Sequence, residues 1–125
     1  AQWLEEKKVE AEALAALSER TFSMDELMER GKATYDRSCA ACHGIDGQGL
    51  AGVFPPMVGV ADQVSLTDHI DILLNGSPGT SMQSFASQLS EVDIAAVITY
   101  ERNAFGNNTG DLVQPIDVFN FANGQ

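Results

Sequence analysis

Two thiols and an imidazole stand within five consecutive residues, Cys39-Ala40-Ala41-Cys42-His43. The pattern C-x-x-C-H reads as a c-type haem attachment site. The reason is geometric. At the end of a helix, two thiols three positions apart can each reach one vinyl group of the same porphyrin and form a thioether. The next side chain, His43, then projects towards the iron and offers an imidazole nitrogen. Its other ring nitrogen needs an acceptor, normally a backbone carbonyl. Pro55 and Pro56 are plausible suppliers, because their segment must fold back over that side of the ring.

Three other chemistries compete for these residues. A thioredoxin-like dithiol also uses C-x-x-C, but it follows a strand in an alternating strand–helix chain, whereas this motif follows a helical pattern. A zinc site needs four ligands. Cys39, Cys42, His43 and His69 are all the chain offers from Cys and His, and adjacent Cys42 and His43 are awkward around one small ion. A bland structural role for both cysteines is the third. Haem attachment is preferred to all of them.

The second axial position of the iron decides the function. His69 would give a low-potential bis-histidine centre, a methionine would raise the potential, and an empty position would bind small ligands. Met24 and Met28 lie in the helix before the motif and read as core or surface residues. Met57, behind the two prolines, reads as an apolar wall against the porphyrin. Met82 lies in the flexible run Gly79-Thr80-Ser81-Met82-Gln83-Ser84-Phe85, whose small residues let the backbone approach the ring. It is the preferred axial ligand, against the alternative of a gap-filler beside Phe85. His69, next to Ile70, Ile72 and Leu73, reads as a surface or structural residue.

The elements that must hold these groups are helical. Residues 3–18 form an Ala-rich pattern with a thin apolar stripe, read as a spacer helix. A second helix starts at Ser23, with Glu26 completing a capping box and Phe22 and Leu27 as staple, and runs to about Arg37. Gly31 inside it costs about 1 kcal/mol against alanine, and makes sense where another helix crosses closely. Residues 38–64 read as a long glycine-rich loop, of the kind that wraps something functional. A short helix follows over 66–74, capped by Ser65, then a second loop over 75–88. The last clear helix spans 91–103, capped by Ser90, with Leu89 and Ile94 as staple. From Ala104 onward the chain reads as turns ending in an apolar stretch. The expected fold is all-α, with long loops around a hollow.

Composition narrows the function. The 125 residues are 44 % hydrophobic and include 7 basic and 18 acidic side chains, for a net charge of -11. Such a chain is a poor ligand for nucleic acid or for an anionic membrane surface. No apolar run is long enough to span a bilayer. Beginning at Ala1 without a signal peptide, the chain reads as a processed protein or an excised piece. No Ser-His-Asp set or convergent acid–base pair is visible, so no catalytic residues are expected. After Cys39 only Arg102 is basic, against nine acidic residues. The partner at the haem edge is therefore either basic or met through an apolar patch.

These features resemble a class I cytochrome c domain. Gly31 and Tyr35 precede Cys39 by eight and four residues, as the family's helical glycine and aromatic do, and Val97 and Tyr100 match the pair that crosses that glycine. The resemblance implies one haem c attached through Cys39 and Cys42, with His43 and Met82 as iron ligands. It also implies Pro55 as the acceptor for His43 and Met57 as a haem-packing residue. Phe54-Pro55-Pro56, His69-Ile70-Asp71 and, above all, residues 99–110 look closest to the cytochrome c domain fused to subunit 2 of bacterial caa3-type cytochrome c oxidase. That resemblance implies a linker over 1–20 behind a copper-containing domain, a cytochrome domain over 21–110 and a tail over 111–125. It further implies a membrane-anchored parent on the extracytoplasmic face. The donor would be a respiratory cytochrome or quinol-oxidising complex, and the acceptor the dinuclear copper centre of the oxidase. A free-standing periplasmic shuttle and a haem-based sensor are the alternatives.

Overall fold

The computed structural model describes residues 20–80 and 82–124, together with residues 5, 8, 9, 11, 12 and 16. The spacer helix expected over 3–18 lies largely outside the described residues. Among those described there are six helices and no strand: α1 (Met24–Ser38), α2 (Ala40–His43), α3 (Val60–Gln63), α4 (Leu66–Asn75), α5 (Glu91–Asn103) and α6 (Pro115–Ala122). The fold is all-α and consistent with a class I cytochrome c domain. None of these helices is long and apolar enough to cross a membrane.

The helix starts follow the local chemistry. The Ser23 side chain accepts from the Glu26 amide while the Glu26 carboxylate accepts from the Ser23 amide. Ser65 and Ser90 accept from the amides of Asp68 and Asp93. Each bond satisfies an amide that the first helical turn leaves without a partner.

Helix α1 buries Leu27, Gly31, Thr34 and Tyr35, one stripe at helical spacing. That stripe lies across α5. A Cβ on Gly31 would sit 2.2 Å from the Ala96 carbonyl oxygen and 2.6 Å from Tyr100 Cβ. The close crossing expected at Gly31 is therefore present, with Ala96 and Tyr100 against the glycine while Val97 is fully buried. Helix α5 is buried on almost every side, Ile94 to Thr99 without a break, because α1, α3, α4 and α6 all touch it.

Three short helices depart from the sequence reading. The stretch over 38–64, read as loop, contains two four-residue helices, α2 and α3. The stretch after residue 111 contains α6, started by Pro115 at its first turn. Val113 and Val118 belong to the main core. The Thr99 hydroxyl accepts from the Val113 amide at 3.0 Å. Gln114 exchanges two hydrogen bonds with the Phe22 backbone, both 2.9 Å, which ties the start of α6 to the segment leading into α1.

Candidate functional site

Helix α1 ends at Ser38, and Cys39 closes it with its amide on the Tyr35 carbonyl at 2.9 Å. The next turn, α2, carries Cys42 and His43. Cys39 faces the core, Cys42 is exposed and both are free thiols. Burial first, then the Glu101 charge and Cys42, push the Cys39 thiol up to about 12. The Tyr35 hydroxyl donates to the Gly44 carbonyl at 2.7 Å and holds the far end of α2. Burial raises the Tyr35 hydroxyl well above the usual tyrosine range.

His43 is buried, and its Nδ1 donates to the Pro55 carbonyl at 2.7 Å. Among the described residues its ring bonds through Nδ1 alone, which leaves Nε2 for another partner. Pro55 reaches this position because Gly49 lies beneath it. The Gly49 amide donates to the His43 carbonyl at 2.7 Å. A Cβ on Gly49 would stand 2.6 Å from the Phe54 oxygen and 2.8 Å from the Pro55 carbonyl carbon, and its φ is +67°. Only glycine meets both conditions without strain.

Met57 is buried and shares one apolar cluster with Cys39, Val60, Ile70, Leu73 and Phe85. Met82 is half-buried against the same cluster. Its loop is closed on itself by the Ser77 amide, which donates to the Met82 carbonyl at 3.1 Å, and pinned to α4 by the Phe85 amide, which donates to the Leu73 carbonyl at 2.8 Å. The Ser84 hydroxyl also donates to the Leu74 carbonyl. The six residues singled out by sequence thus fall into two linked groups, His43 with Pro55 and Cys39 with Met57 and Met82, while Cys42 stands at the surface between them in sequence. Thiols on one helical turn, a buried imidazole with one nitrogen available and an apolar wall with a thioether beside it form a donor set that fits a haem.

His69, read as a surface or structural residue, is the structural one. It is buried, with Nε2 donating to Glu101 Oε1 at 2.9 Å and Nδ1 accepting from Arg102 Nη1 at 3.3 Å. This tautomer is assigned from the network. Both ring nitrogens are therefore occupied. Arg102 continues the chain of bonds to the Val64 carbonyl at 2.8 Å and to Asp111 at 2.7 Å. Glu101 is thus a buried, paired carboxylate. Its partner is 32 residues away in sequence, and no local pattern announces it.

Residues 26–100 match the family of cytochrome c oxidase, cbb3-type, subunit III. The chain belongs to this family of c-type cytochromes. The cbb3-type match corrects the closer resemblance to the caa3-type subunit 2 domain. The copper-containing domain expected ahead of the 1–20 linker loses the support of that closer resemblance with it.

Relatives of this cytochrome include a cbb3-type cytochrome c oxidase subunit CcoP from Azospirillum brasilense, 30 % identical over 77 % of this chain and 34 % of the relative. Cytochrome c-554(548) of Halomonas halodenitrificans is 36 % identical over 50 % of this chain and 80 % of its own length. The cytochrome c subunit of a quinone alcohol dehydrogenase from Gluconacetobacter polyoxogenes is 30 % identical over 70 % of this chain, which spans only 21 % of that subunit. Among solved structures, dihydro-heme d1 dehydrogenase NirN matches with a TM-score of 0.54 and 29 % identity, over 60 % of this chain and 16 % of the other. The two cysteines three apart, followed by histidine, are consistent with a c-type haem attachment motif in a chain of this family.

Proposed function

We propose that this domain binds one haem c through Cys39 and Cys42 and relays single electrons between a respiratory donor and a metal centre of an oxidase-type assembly. The observation that carries the reading is the His43 geometry: a buried imidazole directly after the second cysteine, with Nδ1 committed to the Pro55 carbonyl. When bound, the haem supplies a one-electron ferric/ferrous couple.

Cys39 and Cys42 would hold the haem as thioethers, each formed by adding S–H across one vinyl group, with no leaving group and no oxidant required. His43 would hold the iron through Nε2. The Pro55 carbonyl fixes the tautomer and makes the imidazole a better donor. Met82 would be the other residue to hold the iron, and its thioether would favour the reduced state. Met57 and Phe85 exclude water, which limits reorganisation. The engaged ring nitrogens of His69 support a methionine over a bis-histidine centre.

The donor is a respiratory cytochrome or a quinol-oxidising complex. The acceptor is a metal centre of the oxidase, of which a dinuclear copper centre is one form. We place the domain on the extracytoplasmic face of the cytoplasmic membrane, as part of a membrane-anchored parent. The loop that carries Pro55 offers the meeting surface. Residues 47–61 contain no charged side chain in a chain of net charge -11, and Leu50, Val53 and Val58 are exposed.

The test is a visible-light redox titration of the holoprotein with and without carbon monoxide. A single one-electron transition, with no carbon monoxide bound by the ferrous protein at neutral pH, is expected. Ready carbon monoxide binding would favour the sensor reading instead.

A further inference from the structure

The turn after α5, within the stretch that sequence singled out as most specific, has no part in the haem chemistry described so far. It is strained. Phe105 and Asn108 have φ of +56° and +48°, the left-handed region, which a bulky residue adopts only when its surroundings hold it there. What holds Phe105 is an aromatic cluster, with ring centroids 5.0 Å from Tyr35 and 5.4 Å from Tyr100. Its ring also covers Gly47, where a Cβ would lie 2.8 Å from Phe105 Cγ.

Two residues on, the Asn107 side chain bonds only to backbone, at Met57 and Gly59 far away in sequence and at Glu101 in α5. Its Nδ2 donates to the Met57 carbonyl at 2.9 Å and to the Glu101 carbonyl at 2.7 Å. Its Oδ1 accepts from the Gly59 amide at 2.9 Å. The Met57 and Val58 amides in turn donate to the Gly47 carbonyl at 2.7 and 3.1 Å. Residues 47–59 therefore form a loop closed at its neck by its own backbone, and the turn grips that neck from both sides, Phe105 on Gly47 and Asn107 on Met57 and Gly59. Pro55, whose carbonyl takes the His43 proton, lies inside the loop. A backbone carbonyl has no side chain of its own to aim it, so the neck sets where it points.

We infer that the Phe105–Asn107 turn is a positioning clamp for the His43 imidazole, acting through the neck of the 47–59 loop on the Pro55 carbonyl. The inference rests on the proposed haem ligation by His43. Releasing Asn107 lets the loop move and weakens the Nδ1–H bond to Pro55. A weaker bond makes the imidazole a poorer donor to ferric iron, so the reduction potential rises.

The test compares ferrous holoprotein carrying Asn107→Ala with holoprotein carrying Val118→Ala. Val118 is fully buried on α6 and serves as a destabilised control. Two readouts separate positioning from plain stability: NMR exchange of the His43 Nδ1 proton and the midpoint potential. Asn107→Ala is expected to speed exchange by about tenfold, the factor one hydrogen bond is worth, and to raise the potential, while Val118→Ala leaves both at wild-type values. Equal exchange and equal potential in the two variants would overturn the clamp. Asn107→Asp keeps the acceptor for Gly59 but loses both donors, so it gives a second reading if the alanine variant does not fold; wild-type exchange and potential there would also overturn the clamp. A wild-type protein whose His43 is not bound to iron would instead overturn the ligation itself, and the clamp with it.

Discussion

At the scale of single residues, the division of labour between His43 and Met82 governs the redox behaviour. His43 is committed by its bond to Pro55. Met82 is only half-buried, on a loop pinned by three hydrogen bonds to α4 or within itself. Met82→Ala is expected to lower the reduction potential and open the iron to carbon monoxide, because the thioether favours the ferrous state. Potentiometry and ferrous-form gas binding check this, and an unchanged potential would move the ligand elsewhere. The attachment motif was legible because its chemistry is local: five residues carry both thiols and the imidazole. The roles of Glu101, His69 and Asn107 were not, because each depends on a partner 32 or more residues away. A carboxylate inside a helix reads as solvated until the buried imidazole opposite it is known.

At the scale of elements, the crossing of α1 and α5 is the joint that places the cysteines. Gly31→Ala gains about 1 kcal/mol of helix propensity but drives a Cβ into the Ala96 carbonyl, where backbone cannot yield cheaply. Overpacking of this kind typically costs about 1–3 kcal/mol, so a net loss of stability is expected in denaturant titration; a stabilised variant would mean that the helices can separate. The helix starts at Ser23, Ser65 and Ser90 were legible from their cap residues, and Gly31 announced the crossing. Helix α6 was missed for a physical reason. It begins with Gln114 and Pro115 and not with a strong side-chain cap, and its apolar residues Val118, Phe119 and Phe121 follow a turn-rich segment. Burial against α5, not local propensity, makes it helical.

At the scale of the whole molecule, charge sets both stability and partners. The Arg102 guanidinium beside Asp111 holds its carboxyl below the usual carboxylate range. A depressed carboxylate contributes stability that is complete above its unfolded value, about 4, and is lost as pH falls through its lower folded value. Asp111→Asn is therefore expected to be less stable than wild type at neutral pH. The gap should close as the pH drops below about 4, measured by urea titration at successive pH values; a gap independent of pH would contradict the pairing. The uncharged 47–61 loop makes a separate prediction. Electron transfer with the respiratory donor should depend only weakly on ionic strength, and Val53→Asp should slow it. A steep fall in rate with added salt would point to a basic partner steered by the acidic surface.

The central claim is that Cys39 and Cys42 hold one haem covalently. The most direct measurement is the denatured intact mass of the chain produced with functional cytochrome maturation, beside a cytochrome c control matured in the same cells. The expected mass is that of the 13.4 kDa polypeptide plus one haem, retained after unfolding, with loss of that added mass in the Cys39→Ala, Cys42→Ala double variant. The bare polypeptide mass, alongside a fully loaded control, would contradict it.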